Sequence, residues 1–138
     1  MITFIVHGKP QGKARPRVVT NKYTGRTHAY TPQKTMDYED LIRWSYKEAG
    51  GQYMGEKLIQ AEIKAFYPIP KSSTKKQRLA IEQGEIRPQT KPDCDNIIKS
   101  VLDSLNGVAY YDDKQVVCVS CNKYYGDTGY LEITFKEI

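Results

Sequence analysis

Five aspartates fall between residues 93 and 113 of a chain whose formal net charge is +5: Asp93, Asp95, Asp103, Asp112 and Asp113. The first two flank a single residue in KPDCDNIIKSVLDSL, residues 91–105, and the last two follow that segment closely. Each has an ordinary use. Aspartate is favoured at a helix N-cap, and negative charge suits the positive end of a helix. Asp95 and Lys99 stand at i and i+4, where a surface pair adds about 0.2–0.5 kcal/mol. Asp112-Asp113 fits a solvated turn before a strand. One aspartate already satisfies a cap, however, and the second is surplus. Carboxylates gathered at one place repel unless a cation or a proton offsets them. Magnesium suits them, because it binds a few carboxylates together with waters and substrate phosphates. At a phosphodiester it polarises the phosphoryl oxygen, acidifies a bound water and orients attack. Lys99, one turn beyond Asp95, has a second use in such a site, since its ammonium can offset charge developing on the phosphate or the leaving oxygen. Spacing alone suits that role and the surface pair equally well.

The basic residues lie elsewhere. No acid precedes Asp37, whereas Lys9, Lys13, Arg15, Arg17, Lys22, Arg26 and Lys34 all do. A second cluster, KSSTKKQR, contributes Lys71, Lys75, Lys76 and Arg78. Either cluster alone reads as a solvated surface. An acid-free first quarter with a pI near 9.0 points to a polyanionic partner. Lys13, Arg15, Arg17, Lys75, Lys76 and Arg78 are therefore expected phosphate contacts. Acids gathered within a basic surface share one explanation, metal-dependent cleavage of nucleic acid. Tyr110 and Tyr111, just before the acidic pair, either stack on an unpaired base or divide between core and surface.

Rival chemistries fit less well. Neither G-x-x-x-x-G-K-[ST] nor G-x-G-x-x-G occurs, nor G-x-S-x-G, and His7 and His28 stand alone. Cys118 and Cys121 form a C-x-x-C that would be half of a zinc site. No second pair accompanies them, and on a strand positions i and i+3 face opposite sides.

The elements that must position these residues are readable in outline. The 138 residues, 39% hydrophobic and 27% charged, suit one domain with one core, taken as residues 1–138. No apolar run reaches the roughly 20 residues that span a bilayer. The N-terminus lacks the pattern of a signal peptide, so a cytoplasmic location without a membrane partner is expected. ITFIV reads as a strand, GKPQGKARPR as a loop, and RVVT with THAY as a hairpin turning at NKYTGR. Thr31 as cap and Pro32 as first residue open a helix with Tyr38, Leu41, Ile42, Ser45 and Ala49 on one face, ended by Gly50-Gly51. LIQAEIKAFYPIP alternates as a strand, and SSTKKQRLAIEQGE is a short basic helix with a Ser or Thr cap. The segment that opens at Asp93 is a helix with Ile97, Ile98, Val101, Leu102 and Leu105 buried, stopped at Asn106-Gly107. KQVVCVSCNKYY and YLEITFKEI are the last strands. This order gives an α/β fold of the α+β type, a mixed β-sheet packed by about three helices in a single small domain.

KPDCDNIIKSVLDSLNGVAYYDDKQVV, residues 91–117, resembles the signature of the RusA family of Holliday-junction resolvases: basic-x-D-x-D-N, a lysine four residues after the second Asp, D-x-L, and then D-D-x-Q-V. GKPQGKARPRV resembles the family's basic N-terminal loop more loosely. The resemblance implies a homodimeric, magnesium-dependent endonuclease, with Mn²⁺ able to substitute, that cuts four-way DNA junctions by paired symmetric nicks in recombination and repair. It implies Asp93, Asp95 and Asp113 as metal ligands and Lys99 as the catalytic lysine. Asp113 is preferred to Asp112 on the D-x-Q-V context. A two-fold junction cut twice suits a C2 dimer, with the apolar strand 116–121 as the expected interface. Two rivals stand beside this reading, a less selective branched-DNA nuclease and a non-catalytic DNA-binding module. The expectation most open to test is that Asp93, Asp95 and Asp113 converge, while Asp103, two turns from Asp95, stays outside as a surface or capping residue.

Overall fold

In a computed structural model, which describes residues 1–138, the chain runs β1 (Ile2–His7), β2 (Arg17–Thr20), β3 (Thr27–Tyr30), α1 (Gln33–Glu48), β4 (Ile59–Pro68), α2 (Lys75–Glu82), α3 (Cys94–Ser104), a one-turn 3-10 helix (Asp113–Gln115), β5 (Val116–Gly126) and β6 (Tyr130–Glu137). The expected α+β architecture is present: a four-stranded mixed sheet in the order β1-β6-β4-β5, a separate β2–β3 hairpin and three α-helices.

Alternation builds the sheet's inner face. Along β4, Ile59, Ala61, Ile63, Ala65 and Tyr67 are buried and their neighbours are not. Antiparallel pairing sets Ile63 opposite Ile133, Ala65 opposite Leu131 and Ala61 opposite Phe135. β1 extends the same face with Phe4 opposite Ile133 and Val6 opposite Leu131. A one-residue slip at either pair would turn this whole set outward, so burial pins the register. β4 and β5 are parallel, which requires a crossover, and the stretch carrying α2 and α3 supplies it.

Two helices cover the inner face. α1 presents Tyr38, Ile42, Ser45 and Tyr46, and α3 presents Ile97, Val101 and Leu102, with Leu105 at its cap. Phe4, Tyr46, Tyr110 and Phe135 interlock beneath them, with ring centroids 5.3–6.1 Å apart. The helix opening expected at Thr31 is displaced by one residue: the N-cap is Pro32, and no side chain caps it. Proline's fixed φ suits this position, and its missing N–H costs nothing at a helix start. α2 begins at Thr74 in a reciprocal capping box with Gln77, yet buries none of its residues. β5 is the sheet's edge on the far side from β1, with Val117, Cys118, Val119 and Ser120 exposed along it. Cys121 faces the core and accepts at its carbonyl from the Cys94 thiol at 3.6 Å.

Candidate active site

α3 carries the site because its two faces differ so strongly. Ile97, Val101 and Leu105 drive one face into the core, which obliges Asp95, Lys99 and Asp103, four residues apart, to form a stripe on the outside. The N-terminus of the helix is held by the sheet, where the Tyr67 hydroxyl donates to the Pro92 carbonyl at 3.0 Å. Burial, together with the nearby thiols of Cys121 and Cys94, pushes the Tyr67 phenol up to about 12, so it remains a donor.

The ordinary uses of the first two aspartates are not realised. Asp93 occupies the N-cap of α3, but its carboxylate accepts no capping hydrogen bond. Asp95 stands in the first turn and forms no salt bridge, because Lys99 leans the other way and meets Asp103 at 3.5 Å. Both carboxylates face a cleft of about 460 Å³, whose wall also includes Lys13, Arg15, Asn96 and Lys99. An adjoining cleft of about 730 Å³ shares Lys13, Arg15, Asp93 and Asn96, and adds Lys9, Arg17, Lys34 and Lys91. The expected cations Lys13, Arg15 and Arg17 therefore border the acids. Lys75, Lys76 and Arg78 do not: they lie on α2, and neither cleft includes them.

Asp103 is where the arrangement departs most from expectation. It is half-buried, and Lys13 Nζ lies 3.0 Å from its Oδ2. Burial favours its protonated form. Hydrogen bonds from Asp113 and Lys13, with the charges of Lys13 and Lys99, outweigh burial and hold the carboxyl below its usual range. The Asp113 carboxyl is pushed up to about 6 by the hydrogen bond it shares with Asp103, by burial and by Asp112. Asp103 is thus no mere surface or capping residue, but the hub joining Lys13, Lys99 and Asp113. As the side chains stand, no three acidic, histidine or cysteine side chains converge tightly enough to hold an ion. The expected meeting of Asp93, Asp95 and Asp113 is absent from this arrangement, because Asp113 turns to Asp103 instead.

The acidic turn is rigidly seated by residues that spacing does not single out. Asp112 caps the 3-10 helix, accepting from Lys114 N at 3.2 Å, and its own N–H donates to Gln115 Oε1 at 3.0 Å. Gln115 in turn donates to the carbonyls of Gly55 and Lys57 at 2.8 and 2.6 Å. Asp113 N donates to Asn106 Oδ1 at 2.7 Å. The two aspartates therefore divide their work: Asp112 fastens the turn, and Asp113 presents its carboxyl to α3. The glutamine of D-D-x-Q-V is the one sequence signal for this clamp. Tyr110 and Tyr111 separate into core and surface, with Tyr110 buried and its hydroxyl donating to the Leu102 carbonyl at 2.5 Å while Tyr111 is exposed.

Two unpartnered carboxylates within a rim of lysine and arginine offer hard oxygen donors of the kind a divalent cation shares with a phosphate. Residues 7–136 match the family model described as Endodeoxyribonuclease RusA, and the chain belongs to that family of endodeoxyribonucleases. It is also similar to the uncharacterized protein YqaN of Bacillus subtilis (strain 168), at 32% identity over 139 residues that cover 99% of this chain and 96% of that protein. No helix is long and apolar enough to cross a membrane.

Proposed function

We propose that this endodeoxyribonuclease resolves four-way (Holliday) DNA junctions by paired symmetric nicks, working as a homodimer on cytoplasmic DNA through a single domain spanning residues 1–138. The observation that carries the reading is the pair Asp93 and Asp95. Both stand at the start of α3 with no intramolecular partner, in a cleft otherwise bordered by Lys13, Arg15 and Lys99. Unpartnered acids inside a cationic rim gain nothing for a protein that only binds phosphates, whereas a cation shared with a phosphate makes use of both.

Asp93, Asp95 and Asp113 would hold Mg²⁺, with Mn²⁺ as a substitute, since all three offer hard oxygen ligands. Bound there, the metal supplies Lewis-acid polarisation of the scissile phosphate and a more acidic water. The chain's own residues do the rest. Lys13, Arg15 and Arg17 bind the strand that flanks the scissile phosphate, and Lys75, Lys76 and Arg78 bind backbone farther away. Lys99, more exposed than its partner Asp103, is free to swing its ammonium to the phosphate and offset charge on the leaving oxygen. The dimer reading rests on the two-fold symmetry of the junction and on the exposed, apolar edge of β5, which offers an unpaired row of backbone groups.

A synthetic four-way junction tests the reading, incubated with Mg²⁺ and in parallel with EDTA. Paired nicks with Mg²⁺, none with EDTA, and loss of nicking in Asp95→Asn with junction binding retained are expected. Wild-type cleavage by Asp95→Asn would remove the metal assignment. Equal rates on flaps and three-way substrates would replace junction resolution with a broader branched-DNA nuclease.

A further inference from the structure

Asn96 directly follows the two carboxylates but points to neither a metal role nor a phosphate role. Its Oδ1 accepts a hydrogen bond from the backbone N–H of Lys13 at 3.0 Å, across 83 residues of sequence. The approach is close enough to constrain the facing residue. A Cβ on Gly12 would sit 2.1 Å from Asn96 Nδ2, 2.7 Å from Asn96 Cγ and 3.0 Å from Pro92 Cβ, so any larger residue there must push the Asn96 amide from its place. On the other side of Lys13, Ala14 N donates to Thr35 Oγ1 of α1 at 3.3 Å. Residues 10–16 have no regular secondary structure, so their N–H groups have no ladder to join. Two side chains, one from each core helix, supply acceptors on either side of the lysine that reaches Asp103 and borders both clefts.

We propose that Asn96 is a positioning residue that latches the basic loop to α3, so that the cations gripping the DNA strand and the carboxylates beside the scissile phosphate are held as one unit. This rests on the nuclease reading. It goes beyond that reading in assigning to Asn96 and Gly12 the job of setting where Lys13 and Arg15 stand relative to Asp93 and Asp95. A neutral amide suits this latch, because it accepts the N–H without adding a further negative charge beside two carboxylates.

Limited trypsin digestion reads the latch without DNA. Lys9 and Arg15 precede prolines, so Lys13–Ala14 is the bond within residues 9–16 open to trypsin. In EDTA, Asn96→Ala should be nicked there about tenfold faster than the parent, the scale set by one net hydrogen bond. Gly12→Ala should do the same, and the double variant should be nicked no faster than Asn96→Ala, because the clashing amide is gone. Thr35→Val, which keeps the shape of the side chain, is the independent variant should Asn96→Ala melt early. The second readout is affinity for a synthetic four-way junction in EDTA. Asn96→Ala should weaken it about tenfold in the parent, yet change nothing in a Lys13→Met/Arg15→Met background. Unchanged nicking overturns the latch. Faster nicking with parental affinity overturns its role in positioning. A protein that nicks no DNA with Mg²⁺ defeats the nuclease reading instead, and the trypsin result still decides the latch.

Discussion

Lys13 Nζ lies 3.0 Å from Asp103 Oδ2, joining the basic loop to the last turn of α3 across 90 residues of sequence. The same carboxylate receives Lys99 at 3.5 Å and shares a hydrogen bond with Asp113. These contacts hold the Asp103 carboxyl below its usual range and push that of Asp113 up to about 6.

The first prediction follows from that division. A carboxyl whose folded value is about 6, against an ordinary 3.8, adds stability below the ordinary value and loses it as pH rises through about 6. Metal-free protein should therefore lose stability from this group between roughly pH 4 and pH 6. Asp103→Asn should return Asp113 towards the usual carboxylate range and flatten that segment of the curve. Saturating Mg²⁺ should flatten it too. Carboxyl-carbon NMR titration in EDTA and denaturant melts across the same pH range test both statements. An Asp113 that titrates in its usual range in the parent protein would refute them.

How much of this could be read from the amino acids is clearest at α3. Its apolar stripe, its end just before Asn106-Gly107 and its paired acids at the first turn are local patterns that appear where periodicity places them, although the Asp93 carboxylate makes no capping hydrogen bond. Gly107 takes φ of +76° two residues past the Leu105 cap, where its N–H donates to the Tyr110 carbonyl at 2.7 Å and turns the chain. Asp103 escapes a spacing argument because two turns of helix do separate it from Asp95. What brings it into the network is Lys13 and Asp113, on other elements, and no spacing rule within a helix reports a tertiary partner. The Asp95–Lys99 pair fails to form for a different, local reason: Lys99 has a second acid, Asp103, within reach at i+4 on its other side. Asn96 and Gly12 share the difficulty of Asp103, because each is unremarkable until the loop and the helix are brought together.

Lys99 provides the second prediction. Lys99→Met should reduce junction cleavage with Mg²⁺ by on the order of 10²–10³-fold, the range for removing one group that stabilises transition-state charge. Junction affinity should change far less. Single-turnover rates and binding isotherms measured side by side separate the two effects. An equal loss in rate and affinity would reassign Lys99 to backbone contact.

Two buried tyrosines provide the third. Tyr110 Oη donates to the Leu102 carbonyl, whereas Tyr38 Oη is buried beside the Gln11 backbone without a full hydrogen bond. Burial raises both phenols, Tyr38 to about 12. Removing a made bond costs about 0.5–1.5 kcal/mol, and removing an unmade one is nearly neutral or favourable. Tyr110→Phe should lower Tm by about 4 °C, and Tyr38→Phe should leave it level or raise it. Thermal melts that reverse this order would show the Tyr38 hydroxyl to be satisfied in solution.

The two basic clusters should separate by salt. Each lysine or arginine that displaces a counterion from duplex DNA contributes about 0.9 to the slope of log affinity against log salt. Neutralising Lys13, Arg15 and Arg17 together should therefore lower the slope by up to about 3. The same three-fold change at Lys75, Lys76 and Arg78 tests whether α2, which borders neither cleft, reaches the backbone of a bound junction at all. A parental slope in that variant would confine the interface to the N-terminal loop.

The last prediction concerns assembly. β5 pairs on one side only, and along this edge strand Val117 and Val119 are 57% and 41% exposed. A long apolar edge is a template for pairing unless it is covered. Charge placed there disfavours such pairing, so Val117→Lys/Val119→Lys should yield a monomer by light scattering while the far-ultraviolet circular dichroism is unchanged. If paired nicking depends on two copies of the site, the same variant should release singly nicked junctions in place of resolved duplexes. A double variant that remains dimeric and still resolves junctions would move the interface away from this edge.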